Sequence, residues 1–100
     1  MSAGKVLAGL FDGLEAETPW GGRSVTWEPV GSAWLKLGAR RRRERSEAGR
    51  LRAIETVTVE TRADARLAAG RVLRFGGTDW RIVSGETVGG RAILHLERVR

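Results

Sequence analysis

Residues 70–99, GRVLRFGGTDWRIVSGETVGGRAILHLERV, restrict the possible folds more than any other stretch. Val72 to Phe75 is a short β-rich run, and Gly76-Gly77 breaks it. A glycine pair accepts positive φ at both central positions of a tight hairpin without a Cβ penalty. The return run, Trp80-Arg81-Ile82-Val83, is again aromatic and β-branched. Ser84-Gly85 and Gly89-Gly90 bracket a second reversal, and a last run follows in which Ala92, Leu94 and Leu96 alternate with Ile93, His95 and Glu97. Three short strands joined by glycine turns make a meander, which cannot bury its apolar face alone. The earlier part of the chain must supply the remaining sheet.

That earlier part is short. One hundred residues predict one domain, residues 1–100, and a 41% hydrophobic content predicts a modest core rather than disorder. Cysteine is absent, which excludes disulfides and thiolate metal sites. Residues 6–11 are too short and too glycine-broken for the apolar core of a signal peptide. No run approaches the roughly 18 apolar residues of a membrane span, so a soluble protein with no membrane partner is expected.

Read in order, residues 5–17 alternate poorly, and Gly9 and Gly13 argue against a helix. A first strand, at a sheet edge, is expected over residues 10–17. Residues 18–22, Thr-Pro-Trp-Gly-Gly, are a loop that carries Trp20. Val25 and Trp27 then alternate with Ser24, Thr26 and Glu28, and Ala33, Leu35 and Leu37 alternate with Trp34 and Lys36. Pro29 interrupts the pattern, so one bent strand or two broken strands are expected. Val57 and Val59 alternate with Thr56, Thr58 and Glu60, as in a strand with one solvated face. Residues 63–70 read as a loop or a short turn of helix.

Residues 39–53 stand apart. Arg40, Arg41, Arg42, Arg43, Arg45, Arg50 and Arg52 face only two glutamates there, which gives +5 of the chain's net +6. Ala, Arg, Glu and Leu favour helix, and β-branched residues are almost missing until Ile54. This predicts a helical or partly ordered basic insertion broken near Gly49. The expected fold is therefore mainly β: a small antiparallel β-barrel or sandwich with one basic, partly helical insertion.

The order of these features resembles the phage head–tail joining proteins, the head-closure or stopper proteins of long-tailed phages and gene transfer agents. The resemblance is carried by Gly21-Gly22, Trp27, Trp34, Arg71-Val72, Gly76-Gly77, Trp80 and Ile82, over about residues 10–98. It implies a structural virion component of the neck of a tailed particle, made in the bacterial host cytoplasm. Such proteins form a ring, typically a hexamer, beneath the portal and adaptor rings. They retain packaged double-stranded DNA and present a docking surface to the tail terminator or other tail proteins.

Each signal has a plainer alternative. The arginine cluster suits sequence-blind phosphate contact in a DNA channel. It equally suits bidentate pairing with an acidic neighbouring ring, and sixteen arginines among eighteen basic residues also fit a GC-rich coding bias. Trp27, Trp34 and Trp80, with Phe75 and Ile82, sit in strand patterns and are expected in the core or at a subunit interface rather than stacking on bases. Trp20 is expected exposed at a contact. His95 is alone, and Asp12, Asp64 and Asp79 are turn acids. No catalytic, cofactor-binding or metal-ligating set can be assembled, so neither an enzyme nor a cofactor is expected. Two other functions fit the same features: a free-standing nucleic-acid-binding small barrel, and a tail-side completion ring.

Overall fold

The computed structural model describes residues 4–99, and among them every regular element is a strand. The elements are β1 (Lys5–Glu17), β2 (Arg23–Glu47), β3 (Arg50–Arg62), β4 (Val72–Phe75), β5 (Thr78–Val88) and β6 (Arg91–Arg98). All pairings are antiparallel, in the order β1-β2-β3-β6-β5-β4. Gly9, Leu10 and Phe11 of β1 also pair with Arg74, Leu73 and Val72 of β4, which closes the sheet into a barrel. The mainly β antiparallel expectation holds.

Strand alternation fills the interior. Ala8 and Leu10, Leu35, Val57 and Val59, Leu73 and Phe75, Trp80 and Ile82, and Ala92, Leu94 and Leu96 form one buried cluster. Burial of large aliphatic and aromatic side chains contributes roughly 1.5–3 kcal/mol each. Thr61 is the buried polar side chain among the described residues, and its hydroxyl donates to the Trp34 carbonyl at 2.8 Å. Residues 63–70 close one end of the barrel, with Ala63 and Leu67 packed against the core.

Two expectations need correction. The arginine-rich insertion is not helical: residues 40–47 of β2 and 50–57 of β3 form a continuous antiparallel ladder. Its turn is Ala48-Gly49, with φ of 49° and 76°. Both angles are those of a tight hairpin turn, without the Asn-Gly that usually announces one. The first strand starts at Lys5 rather than residue 10, and it is not at an edge where it lies between β2 and β4. Of the two places expected for Trp27 and Trp34, the barrel core is not the one they take: they are 42% and 60% exposed, on the surface a subunit interface would use. Trp34 alternates with the buried Leu35 and so faces outward, while Trp27 lies beyond the last β1–β4 pair and covers Gly13. Residues 63–70 form turns, the loop of the two alternatives expected there.

The 25 residues of β2 run through the whole molecule. A bulge at Val30 and another at residues 38–39 bend it at the two barrel ends. Beyond each bulge a two-stranded arm leaves the barrel: residues 12–17 with 23–28 at one end, and residues 40–47 with 50–55 at the other.

Candidate functional site

The second arm holds all seven arginines of the basic segment. Directly opposed residues share a face of a ladder. The register pairs Arg41 with Thr56, Arg43 with Ile54, and Arg45 with Arg52, while Arg40 pairs with Val57 and Arg42 with Glu55. Val57 is buried in the core, so Arg40 and Arg42 lie on the inner face with Glu44 and Glu55. Alternation puts Arg41, Arg43, Arg45, Arg50 and Arg52 on the outer face. The hairpin thus sorts a mixed run into one nearly all-cationic face and one mixed face. A groove of about 520 Å³ runs from the arm onto the barrel, lined by Arg43 and Arg45, the acids Glu44 and Glu97, and apolar side chains including Ile54 and Leu96.

The inner face finishes the barrel. The Arg40 guanidinium lies 5.2 Å from the centroid of the Trp80 ring. Trp80 is 1% exposed, and it stacks on Phe75 with centroids 5.8 Å apart and planes 10° from parallel. Its indole N–H is buried without an acceptor among the described residues. Arg98 donates to Glu55 at 3.1 Å beside this cluster. Arg40 therefore packs against its own fold, and Arg41, Arg43 and Arg45 are the arginines of this strand presented outward.

The first arm carries Trp20 at its tip, 90% exposed. The turn beneath it is tied internally: the Thr18 amide donates to the Gly22 carbonyl at 2.8 Å, and the Gly22 amide donates to the Thr18 hydroxyl at 3.0 Å. An aromatic ring on a pre-ordered turn loses little freedom on contact. Val25 and Trp27 lie exposed along the same arm. Residues 12–28 contain four acids against Arg23, a net −3 that sequence reading passed over. The signal was its contrast with the basic segment.

The turn acids are ion-paired. Asp12 meets Arg71 at 3.5 Å and Asp79 meets Arg74 at 2.7 Å. Hydrogen bonds from the Arg66 side chain and backbone hold the Asp64 carboxyl down at about 2. Arg66 also donates to the Val30 carbonyl at 3.1 Å, so the Asp64–Arg66 pair clamps the first bulge of β2. Pairing with Asp64 and with Asp79 raises Arg66 and Arg74, respectively, above the ordinary arginine value. His95 is exposed on β6. Among the described residues no group of three or more His, Cys, Asp or Glu side chains could hold a metal ion, and no helix is long and apolar enough to cross a membrane.

Comparison with known proteins follows the same outline. Residues 14–98 match the phage head completion protein family. One similar solved structure is a chain of a "Virion of native gene transfer agent (GTA) particle", with a TM-score of 0.69, 20% identity and 93% of each chain covered. At that identity the likeness speaks for the fold. No curated protein matches the chain. The family match takes in nearly all of both arms and five of the six strands whole, and the chain therefore belongs to the phage head completion protein family, as a structural, head-related virion component.

Proposed function

We propose that this protein is a head-closure, or stopper, component that works as a ring at the neck of a phage-like particle. It joins a DNA-filled head to its tail and helps retain the packaged DNA. The observation that carries this reading is the sorting of Arg41, Arg43, Arg45, Arg50 and Arg52 onto one face of an arm that projects from a rigid barrel. Such a face contacts a polyanion or an acidic protein ring without reading sequence. The family supports a head-related role, and the gene transfer agent likeness supports a fold that occurs in assembled particles. Portal or adaptor proteins, tail proteins and channel DNA are the partners this proposal names, and the 100 residues act as one domain.

Electron microscopy of particles made without this gene tests the proposal. Heads that leak DNA or accumulate apart from finished tails are expected; normal tailed particles would remove the protein from the neck. The same cationic face also allows a free-standing nucleic-acid binder. In that case the isolated chain binds duplex with a steep salt dependence, and replacing Arg41, Arg43 and Arg45 with Ser flattens the log–log slope by about 3. The neck reading expects weak, shallow binding by the isolated chain.

A further inference from the structure

The two arms leave strand edges unpaired. Among the described residues, β4 covers β1 only at residues 9–11, so residues 12–17 have no strand on that side. Likewise, among the described residues, β1 covers β2 only up to Lys36, so no described strand lies beside residues 37–47 on that side. Each open edge is about six to eleven residues long, enough for a short added strand. The edges differ in charge. Glu15 and Glu17 line the first, beyond an Asp12 already held by Arg71 at 3.5 Å, and Arg40 to Arg43 with Arg45 line the second. Over the whole arms, residues 12–28 carry a net −3 and residues 38–55 a net +4.

From this pattern we infer that copies of the chain join head to tail, the acidic β1 edge of one copy adding as a strand to the basic β2 edge of the next. Like arms cannot pair, because acid would face acid or arginine would face arginine across the ladder, which is destabilising. Pairing unlike arms places Glu15 and Glu17, which share a face, beside Arg41, Arg43 and Arg45, which also share one. Arg23 pairs with Glu15 within a copy at 3.5 Å, but both side chains are mostly exposed and such a pair holds weakly. The two arms lie at opposite ends of β2, so the contact is heterologous and propagates until it closes. The inference deepens the ring proposed above and rests on it for its biological use. The basic arm's charge exceeds the acidic arm's, so a cationic surface is left for other contacts.

Two charge-reversed forms of the full chain provide the test. One carries Glu15→Arg and Glu17→Arg, and the other Arg41→Glu, Arg43→Glu and Arg45→Glu. Sedimentation of the unmodified chain should show self-association at about 50 mM salt, weakened about tenfold or more at about 500 mM, where screening is strong. Each reversed form alone should sediment as the 10.9 kDa monomer. An equimolar mixture should recover association, because each form then supplies the arm the other needs. Four results would overturn the inference: no association by the unmodified chain at low salt, association indifferent to salt, reversed forms that associate alone, or a mixture that stays monomeric. Duplex binding by a chain that never self-associates would assign the basic edge to DNA instead. The salt series needs no variant, so it stands if a reversed form misfolds. Normal tailed particles without the gene would defeat the neck reading and leave these masses untouched. Neck defects with non-associating arms would defeat only the arm contact.

Discussion

Trp80 and Arg40 show how one side chain can settle what its neighbours are free to do. The indole fills the barrel centre against Phe75, and Arg40 covers its outer side. Trp80→Ala is expected to cost about 3–5 kcal/mol in urea unfolding, since the cavity it leaves cannot collapse fully. Trp80→Phe should cost well under that, because it removes a buried N–H that has no acceptor among the described residues as well as some volume. Arg40→Ala should cost about 0.5–1 kcal/mol, the usual range of a cation over an aromatic ring at an exposed site. At the other barrel end, Asp64 titrates near 2 instead of 3.8. A carboxyl lowered by folding stabilises the fold above its unfolded value, and that contribution is lost as the pH falls through about 2. Protection of the amides across residues 63–70, taken relative to the intrinsic exchange rate at each pH, should therefore fall between pH about 4 and about 2. Asp64→Asn should remove that dependence.

At the level of the strand, the bulge at residues 38–39 depends on Gly38. A Cβ there would lie 2.7 Å from the Thr58 carbonyl oxygen, which belongs to the backbone of the neighbouring strand and cannot turn aside. Gly38→Ala is expected to lower stability by about 1–3 kcal/mol in thermal or urea unfolding. Gly85→Ala should cost less: its Cβ would meet a Leu94 methyl at the same 2.7 Å, the end of a side chain, while the nearest backbone atom, the Ile93 carbonyl oxygen, lies at 3.3 Å. Some of this was legible in the sequence. Trp80 and Ile82, and Ala92, Leu94 and Leu96, announce their strands through period-two burial, and Gly76-Gly77 announces the turn. The arginine arm was not legible as β, because Arg, Ala and Glu prefer helix and nothing local opposes that preference. What holds residues 40–43 extended is the partner strand: Ile54, Thr56 and Val57 are β-formers already fixed by pairing or core contact. Tertiary pairing outweighed propensity. The outward sorting of Arg41, Arg43 and Arg45 was hidden for the same reason, since a helix would have spread them around its axis.

The whole molecule measures 52 × 33 × 25 Å, long for 100 residues because both arms extend past the core. Under the neck proposal, core and arms have separate duties in such a shape. Replacing Arg41, Arg43 and Arg45 with Ser should leave the unfolding midpoint within about 0.5 kcal/mol of the original, as for exposed substitutions generally. The same variant should fail to complete particles, which microscopy would show as heads without attached tails. A lost midpoint would make those arginines part of the fold instead.

β2 gives the molecule one further property. It enters as part of the acidic arm, crosses the barrel wall and leaves as part of the basic arm without a break in the backbone. A pull applied to the two ends of β2 therefore travels along covalent bonds. The β1 and β3 ladders on either side of it resist in shear, many hydrogen bonds loaded together, rather than peeling one at a time. The barrel then acts as a bushing around a tie-rod, and tension between neighbours need not be carried by its packed core.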